Sequence, residues 1–591
     1  MGRRGRHGRG RVLGALVGVA WLAAGCRFAE GRLEAAVPAS GAPGTVVVLE
    51  GSGFGDAPGW RQACYDGRPL DILSWSDDRI EAVLPSEKNA GPYAVEIRTP
   101  AGAWPTRLTH ELTADTARSA PVVDGITVRA RANNPLAATV TFRTDEPATP
   151  IVAVEGPTGV RSVPPSGIRS DVPGTDHEVV ILGLRPATTY AITVGARNGA
   201  GRLGALVHAE HRTVALRASV LPIEILKSRP DRMAPGYTLL SVYSFAYLGD
   251  GFLFALDSSG APVWMYRAGI MQAAERLADG TIAITTHKFG SDVIELISPF
   301  GEIVADLRAH DLGLDTFHHD VVEMPDGHLL TLSTELRTID GYPGGARHDV
   351  VGDVVVELTR EGDVVGSWPL LDMLDPHRVG QGFDDPYWLA TYGTGAKDWS
   401  HANAVGYDPE DDGIWVSLRH QDAIVKFRRS DGALLWVVGT NDPKTSGDDA
   451  WPFLRFTGEG RLPSEQHDPH VVSGGRLWVY DNGNASGVTR AVLYDLDPVE
   501  GTLSQHWAWV DPDYAPPLFG AYVGGVDPLS NGNVLIAHGG LGGTPADLEN
   551  PTWIHLSEVD PARDEKLFEA RIRGELGYIG YRARRIDSLY P

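Results

Sequence analysis

Apolar positions along the chain fall in short runs of about five to eight residues, rich in Val, Ile, Leu and Trp and closed by Gly, Pro, Asp or Asn. Few stretches hold the i, i+3, i+4, i+7 spacing long enough to bury one face of a helix. The pattern predicts an all-β protein with little helix.

From about residue 216 the pattern repeats. One half of the unit is a strand, a turn containing Asp or Gly, and a strand carrying Trp, as in Ala255 to Trp264, Glu357 to Trp368 and Lys426 to Trp436. Weaker copies begin near Glu295, Tyr494 and His555. The other half sets a Gly turn before an apolar strand, at Asp279-Gly280, Asp326-Gly327, Gly474-Gly475 and Asn531-Gly532. Together the halves make a four-stranded unit, and the copies, spaced by roughly 40 to 70 residues, number about six. A six-bladed β-propeller over residues 216–591 is therefore expected. In such a fold, residues far apart in sequence meet where the inner strands face the central channel.

Two segments upstream show strands alternating with Gly turns. Residues 33–113 contain Gly44-Thr45-Val46-Val47-Val48-Leu49-Glu50-Gly51-Ser52-Gly53-Phe54-Gly55 and the strand Ile80 to Leu84. This segment resembles the IPT/TIG family. Residues 119–214 contain Leu184-Arg185-Pro186-Ala187-Thr188-Thr189-Tyr190 and resemble a fibronectin type III domain. The resemblances imply two immunoglobulin-like β-sandwiches, the first a spacer or interaction module with no chemistry of its own, the second with Tyr190 packed into a sandwich corner.

Composition and charge narrow the partners. The chain has 591 residues, too many for one domain. Arg3, Arg4, Arg6, Arg9 and Arg11 precede an apolar run from Val12 to Ala24 that is too short for a comfortable membrane span and ends at Gly25-Cys26. This reads as a signal segment, residues 1–25, with lipidation of Cys26 anchoring the protein in a bacterial cell envelope. Ala23 stands where such signals usually carry Leu, so an ordinary secretory signal is the alternative. Loss of five arginines moves the net charge from −24 to −29, which argues against nucleic acid as a partner. An anionic substrate would need a local, inward-facing positive spot. With Cys26 lipidated, Cys64 has no partner for an intramolecular disulfide and is expected to be a buried, inert residue.

Such a spot is offered by three groups of residues beside strand starts: His318-His319-Asp320, His401-Ala402-Asn403 with Arg419-His420-Gln421, and Gln466-His467-Asp468-Pro469-His470. Imidazole serves as nucleophile or general acid/base near neutral pH, and guanidinium holds sulfate, phosphate or carboxylate oxygens. With Asp398-Trp399-Ser400 before His401 and Tyr480-Asp481-Asn482-Gly483-Asn484 after His467, these motifs in this order resemble the PAPS-independent arylsulfate sulfotransferases over residues 216–591.

The resemblance implies transfer of a sulfuryl group from a phenolic sulfate donor to an acceptor phenol, in two half-reactions through a sulfohistidine. It places the nucleophile on His467, with His470 as the alternative. It places supporting roles on His401, Arg419 and one of His318 and His319, with His319 preferred. Trp399, Asn403 and Tyr480 are candidate substrate contacts. Neither a metal nor an organic cofactor is expected, and the acidic pairs such as Asp384-Asp385 read as solvated loops. Two other readings stay open at this point: a non-catalytic surface propeller that binds a ligand or partner, and a hydrolase in which water accepts the sulfuryl group. The oligomeric state and the choice of inner or outer membrane are not legible.

Overall fold

The computed structural model describes residues 31–591 except 56–60, 86–87, 100–101, 114–119, 200, 218, 245–250, 289–290, 343–344, 346, 383, 394, 441–450 and 544–548. The expected signal segment and Cys26 lie outside the described residues. Strand dominates throughout, and the only α-helices among the described residues are two four-residue turns, Leu370–Met373 and Leu389–Tyr392. The protein is all-β.

The described residues fall into two compact units, one mainly of residues 31–113 and the other mainly of residues 120–156 and 162–591. In the first unit, a four-stranded and a five-stranded sheet share one core in which Val47, Leu49, Tyr65, Ile80, Val95 and Ile97 are buried. Cys64 is fully buried and unbridged, and burial raises its thiol pKa, as expected of an inert residue.

In the second unit, the long strand Ala138–Gly156 organises residues 123–212. Its first half pairs with Val123–Ala130 and Gly174–Ile181, and its second half with Thr189–Asn198. Tyr190 is buried, and its hydroxyl accepts from the Arg185 backbone N–H at 2.7 Å. This segment is tied to the rest of the unit by buried and half-buried polar contacts. The Tyr590 hydroxyl accepts from the Leu182 N–H at 2.8 Å, and Arg185 pairs with Asp257 at 2.6 Å. Exposed loops between independent domains would not require such contacts.

Residues 223–586 form six sheets of four or five strands among the described residues. The expected hairpins are all antiparallel pairs, for example Ala255 opposite Trp264 and Lys426 opposite Trp436. Two sheets are completed by strands from opposite ends of the segment. Ile223–Ser228 pairs with Glu565–Ile572, and Ala583–Ile586 pairs with Tyr237–Tyr243. One edge strand from each sheet packs beside the next in the order Met271–Arg276, His318–Glu323, Ala402–Asp408, His467–Val472, Gly525–Pro528, Ala583–Ile586.

Candidate active site

Three of these edge strands begin at or just after a histidine motif, and all three are bulged there. Pairing slips between His318 and Val321, between Ala402 and Ala404, and between His467 and His470. A bulge turns a side chain that would lie along the sheet toward the strand end. The backbone is left-handed at His319 (φ 58°), His401 (φ 45°) and Asp468 (φ 49°). For non-glycine residues this costs on the order of 1–3 kcal/mol each, a strain that clusters at functional sites.

The strands are held together from below by the dipeptide Tyr581-Arg582. Arg582 bonds Asp320 at 2.9 Å and Asp468 at 3.1 Å, the residues that follow His319 and His467. Its Nη2 also donates to the Asn403 carbonyl at 3.0 Å, and the Tyr581 hydroxyl donates to the same carbonyl at 2.7 Å. Arg584 adds a two-point contact to Asp468 at 2.6 and 2.7 Å. All three histidine-bearing strands are thus fixed to one buried guanidinium.

Above this floor lies a cavity of about 440 Å³. His319, His401, Arg419 and His467 line it, with Tyr243, Tyr387, Tyr522 and Tyr581 as aromatic wall and Gln272, Asp385, Val523 and Ile579 between them. The ring centroids of His319 and His401 are 5.1 Å apart, and Tyr387 sits 4.8 Å from His401 and 5.5 Å from His319.

The hydrogen bonds assign the protons. The Asn482 amide nitrogen donates to the carbonyls of Gly520 (2.8 Å) and Val523 (3.0 Å), so its Oδ1 must accept, and it does so from Nδ1 of His467 at 2.7 Å. Neutral His467 therefore carries its proton on Nδ1 and a lone pair on Nε2. Burial first, and the charge of Arg419 second, hold this imidazole well below its ordinary pKa. His318 donates from Nε2 to the Ser333 carbonyl at 3.2 Å and lies 3.1 Å from Asp353; in its neutral form Nδ1 is left to accept from Nδ1 of His319 at 2.7 Å. His319 then also offers an Nε2 lone pair, and burial likewise lowers its pKa well below the usual value.

His401 is backed by an acid. Its Nδ1 is 2.5 Å from Oδ2 of Asp398, whose other oxygen accepts from Trp388 Nε1 at 3.2 Å. Burial pushes the Asp398 carboxyl up to about 7 and the His401 imidazole down. The pair can therefore pass a proton near neutral pH. His420 is fully buried behind it; its Nδ1 donates to the Asp398 carbonyl at 2.8 Å and its Nε2 accepts from Arg419 Nη1 at 2.9 Å. Burial and the neighbouring His401 bring His420 down to about 4, so it stays neutral and orients the guanidinium.

Asp398, His401 and His420 also stand close enough together to surround a cation, as do Asp326, His328 and Glu357, and Asp511, His555 and Glu569. In the first group the Arg419 guanidinium already donates to His420 Nε2, which disfavours a second positive charge there. In the third, Lys566 places its ammonium 2.8 Å from Asp511 and 2.9 Å from Glu569, where a cation would sit.

His467, His401, Arg419 and His319 thus come together around one cavity. His318 stands behind His319 and reaches the cavity only through it. His470 turns away, 3.3 Å from Asp468 and beside the Trp415 ring. Three expected substrate contacts need correction. Trp399 is fully buried between sheets and donates to the Arg378 carbonyl at 2.7 Å. Tyr480 is buried against Gly524 and bonds His538 at 2.9 Å. Asn403 spends its amide on the Gln466 carbonyl at 2.8 Å, so it ties two strands and does not line the cavity. Tyr480 points into the packing from within its strand, Trp399 does so from the segment that follows Asp398, and Asn403 lies at the slip between Ala402 and Ala404.

The aromatic wall was missed by the sequence reading. Gln272 and Tyr581 could have been found by aligning strand starts, because Met271-Gln272 and Tyr581-Arg582 occupy the place held elsewhere by the histidines. Asp385 and Tyr387 lie in a segment without repeat pattern and carried no such signal.

Residues 223–582 match a family described as Arylsulfotransferase (ASST). The arylsulfate sulfotransferase AssT of Escherichia coli O6:H1 is 24% identical over 302 residues, 41% of this chain and 48% of that protein. AssT of Lelliottia amnigena is 27% identical over 260 residues, 35% of this chain and 42% of that protein. The chain thus spans about half or less of the length of these relatives. Among solved structures, the periplasmic gluconolactonase PpgL of Pseudomonas aeruginosa aligns with 73% of this chain and 100% of its own at 13% identity, with a TM-score of 0.29, too low to bear on fold or chemistry.

Proposed function

The chain belongs to the arylsulfotransferase family, and we propose that it transfers a sulfuryl group from a phenolic sulfate ester to an acceptor phenol through a sulfohistidine on His467. The observation that carries this reading is the free Nε2 lone pair of His467, fixed by Asn482, in an aromatic cavity that also holds Arg419 and two further neutral imidazoles.

Nε2 attacks sulfur, the S–O bond to the donor phenol breaks, and the departing phenolate takes a proton from the His401–Asp398 pair. The sulfated ring keeps its Nδ1 proton on Asn482, and Arg419 holds sulfuryl oxygens as charge develops on them. An acceptor phenol then returns a proton to His401, with His319 as a second acceptor, and attacks the N-bound sulfur, regenerating neutral His467. A sulfate ester carries one negative charge, so one guanidinium and several neutral donors are enough to hold it. The tyrosine walls suit the phenyl rings of both substrates.

In this reading the six sheets of residues 223–586 are the blades of a six-bladed propeller, the histidine strands are its inner strands, and the segments before residue 216 are immunoglobulin-like spacers. A lipid on Cys26 would hold the enzyme in the bacterial envelope, and Cys26→Ser should release it from the membrane fraction. Release of p-nitrophenol from p-nitrophenyl sulfate tests the activity. Dependence on added phenol supports transfer, phenol-independent release indicates hydrolysis, and no release from folded protein rules out both.

A further inference from the structure

Arg419, the cation lining the cavity, is not free to present its full charge. Its Nη2 lies 2.6 Å from Oε2 of Glu465, and the two side chains are only 12% and 15% exposed. Of the five guanidinium N–H groups, Nη1 serves His420 with one, Nη2 serves Glu465 and, at 3.5 Å, the Ala521 carbonyl. Nε has no hydrogen-bond partner among the described residues and is buried. Nε–H is enclosed by the protein, which leaves the second Nη1 proton as the donor not already taken.

Other charges nearby also cancel. Arg582 and Arg584 are matched by Asp320 and Asp468, and Asp385 on the cavity wall is acidic. The lining is therefore rich in donors without an excess of positive charge. Glu465 is held in place to produce this. It occupies a left-handed backbone position (φ 46°) two residues before His467, and its N–H donates to Asp422 Oδ1 at 2.6 Å.

We infer that Glu465 is a specificity-determining residue, which cancels the charge of Arg419 so that the cavity accepts singly charged sulfuryl esters and rejects doubly charged phosphoryl esters of the same shape. The inference rests on the proposed sulfuryl chemistry, since it names the charge of the ester that the same site takes. Sulfate and phosphate monoesters match in size and in their oxygens, and above pH about 6 they differ by one charge. In a half-buried site, that difference meets either a neutral Arg–Glu pair or a bare guanidinium, and the Coulomb contribution at a few ångströms decides between them.

Calorimetric titration at pH 8 with phenyl sulfate and phenyl phosphate tests this. Wild-type protein should bind phenyl sulfate at least about tenfold more tightly than phenyl phosphate. Glu465→Gln keeps an acceptor for Nη2 but removes the charge, and should tighten phenyl phosphate about tenfold or more while changing phenyl sulfate much less. Glu465→Asp, which keeps the charge, should discriminate like the wild type. Equal binding of the two esters by wild-type protein, or unchanged discrimination in Glu465→Gln, overturns the inference. Turnover of p-nitrophenyl sulfate by the same preparations is scored separately. Its absence with discrimination intact counts against the sulfuryl-transfer reading and leaves the role of Glu465 standing.

Discussion

Asn482 Oδ1 accepts from Nδ1 of His467 at 2.7 Å, and the Asn482 amide cannot flip because both of its N–H groups are bound to the carbonyls of Gly520 and Val523. This one contact sets which nitrogen of the proposed nucleophile faces substrate. Asn482→Ala releases the imidazole to either tautomer and should lower kcat on the order of 100-fold with a smaller change in KM. Asn482→Asp places a carboxylate against Nδ1, raises the basicity of the ring and should move the acid limb of the pH–rate profile to higher pH. A purely structural role for Asn482 would leave that limb in place.

Asp398 and His401 are predicted to matter in proportion to the difficulty of the leaving group. Asp398→Asn removes the acid that shares the His401 proton. Transfer from phenyl sulfate, whose phenolate needs the proton, should slow about tenfold more than transfer from p-nitrophenyl sulfate. Equal slowing of both donors would show that the pair does not protonate the leaving group.

Arg582 is expected to hold the site together without touching substrate. It bonds Asp320, Asp468 and the Asn403 carbonyl, all buried. Arg582→Met leaves two carboxylates with one partner fewer and should destabilise the protein by about 3–5 kcal/mol. Thermal unfolding should show a clear drop in Tm; a Tm equal to wild type would mean that the three strands are aligned by other contacts.

Acid should destabilise the fold through its buried imidazoles. His420, held at about 4 in the folded protein, takes up a proton at about 6.5 once unfolded, so its contribution is present above pH 6.5 and is lost as pH falls toward 4. His319, His401 and His467 act in the same direction. Asp398 and Glu275, raised to about 7, Asp422, raised to about 6, and Asp527 and Glu335, also raised by burial, act in the opposite one, because the folded carboxyl gains its proton first. His110, His177, His211 and His538 are lowered by burial as well, so the imidazoles outnumber these carboxyls, and Tm should be lower at pH 5 than at pH 7.5. The decline should be shallower in His420→Gln. A Tm that rises on acidification would contradict these proton assignments.

The all-β class was legible because runs bounded by Gly and Asp, as in Ala255 to Trp264, encode hairpins locally. The pairing of Ile223–Ser228 with Glu565–Ile572 was not legible, since nothing near either strand records a partner more than 300 residues away. In the site, His467, His401 and Arg419 stood out as reactive residue types within recognisable motifs. Trp399 and Tyr480 stood beside the same motifs, yet both are buried in the core, Tyr480 from within a strand and Trp399 from the segment after Asp398. The bulge at each histidine strand breaks strand alternation for the residues that reach the cavity, and a one-residue slip is not visible in the local sequence. Tyr387 arrives from a connecting segment, and its place over His401 follows only from tertiary packing.

In the proposed reaction His467 carries the sulfuryl group between donor and acceptor. Protein mixed with p-nitrophenyl sulfate in the absence of phenol, quenched and digested under conditions that preserve N-sulfonated imidazole, should yield the peptide containing His467 heavier by one SO₃ group. Added phenol should discharge it, and His467→Ala should abolish it while His470→Ala retains it. Phenol sulfation without any modified peptide, or with the label on another histidine, would contradict the account.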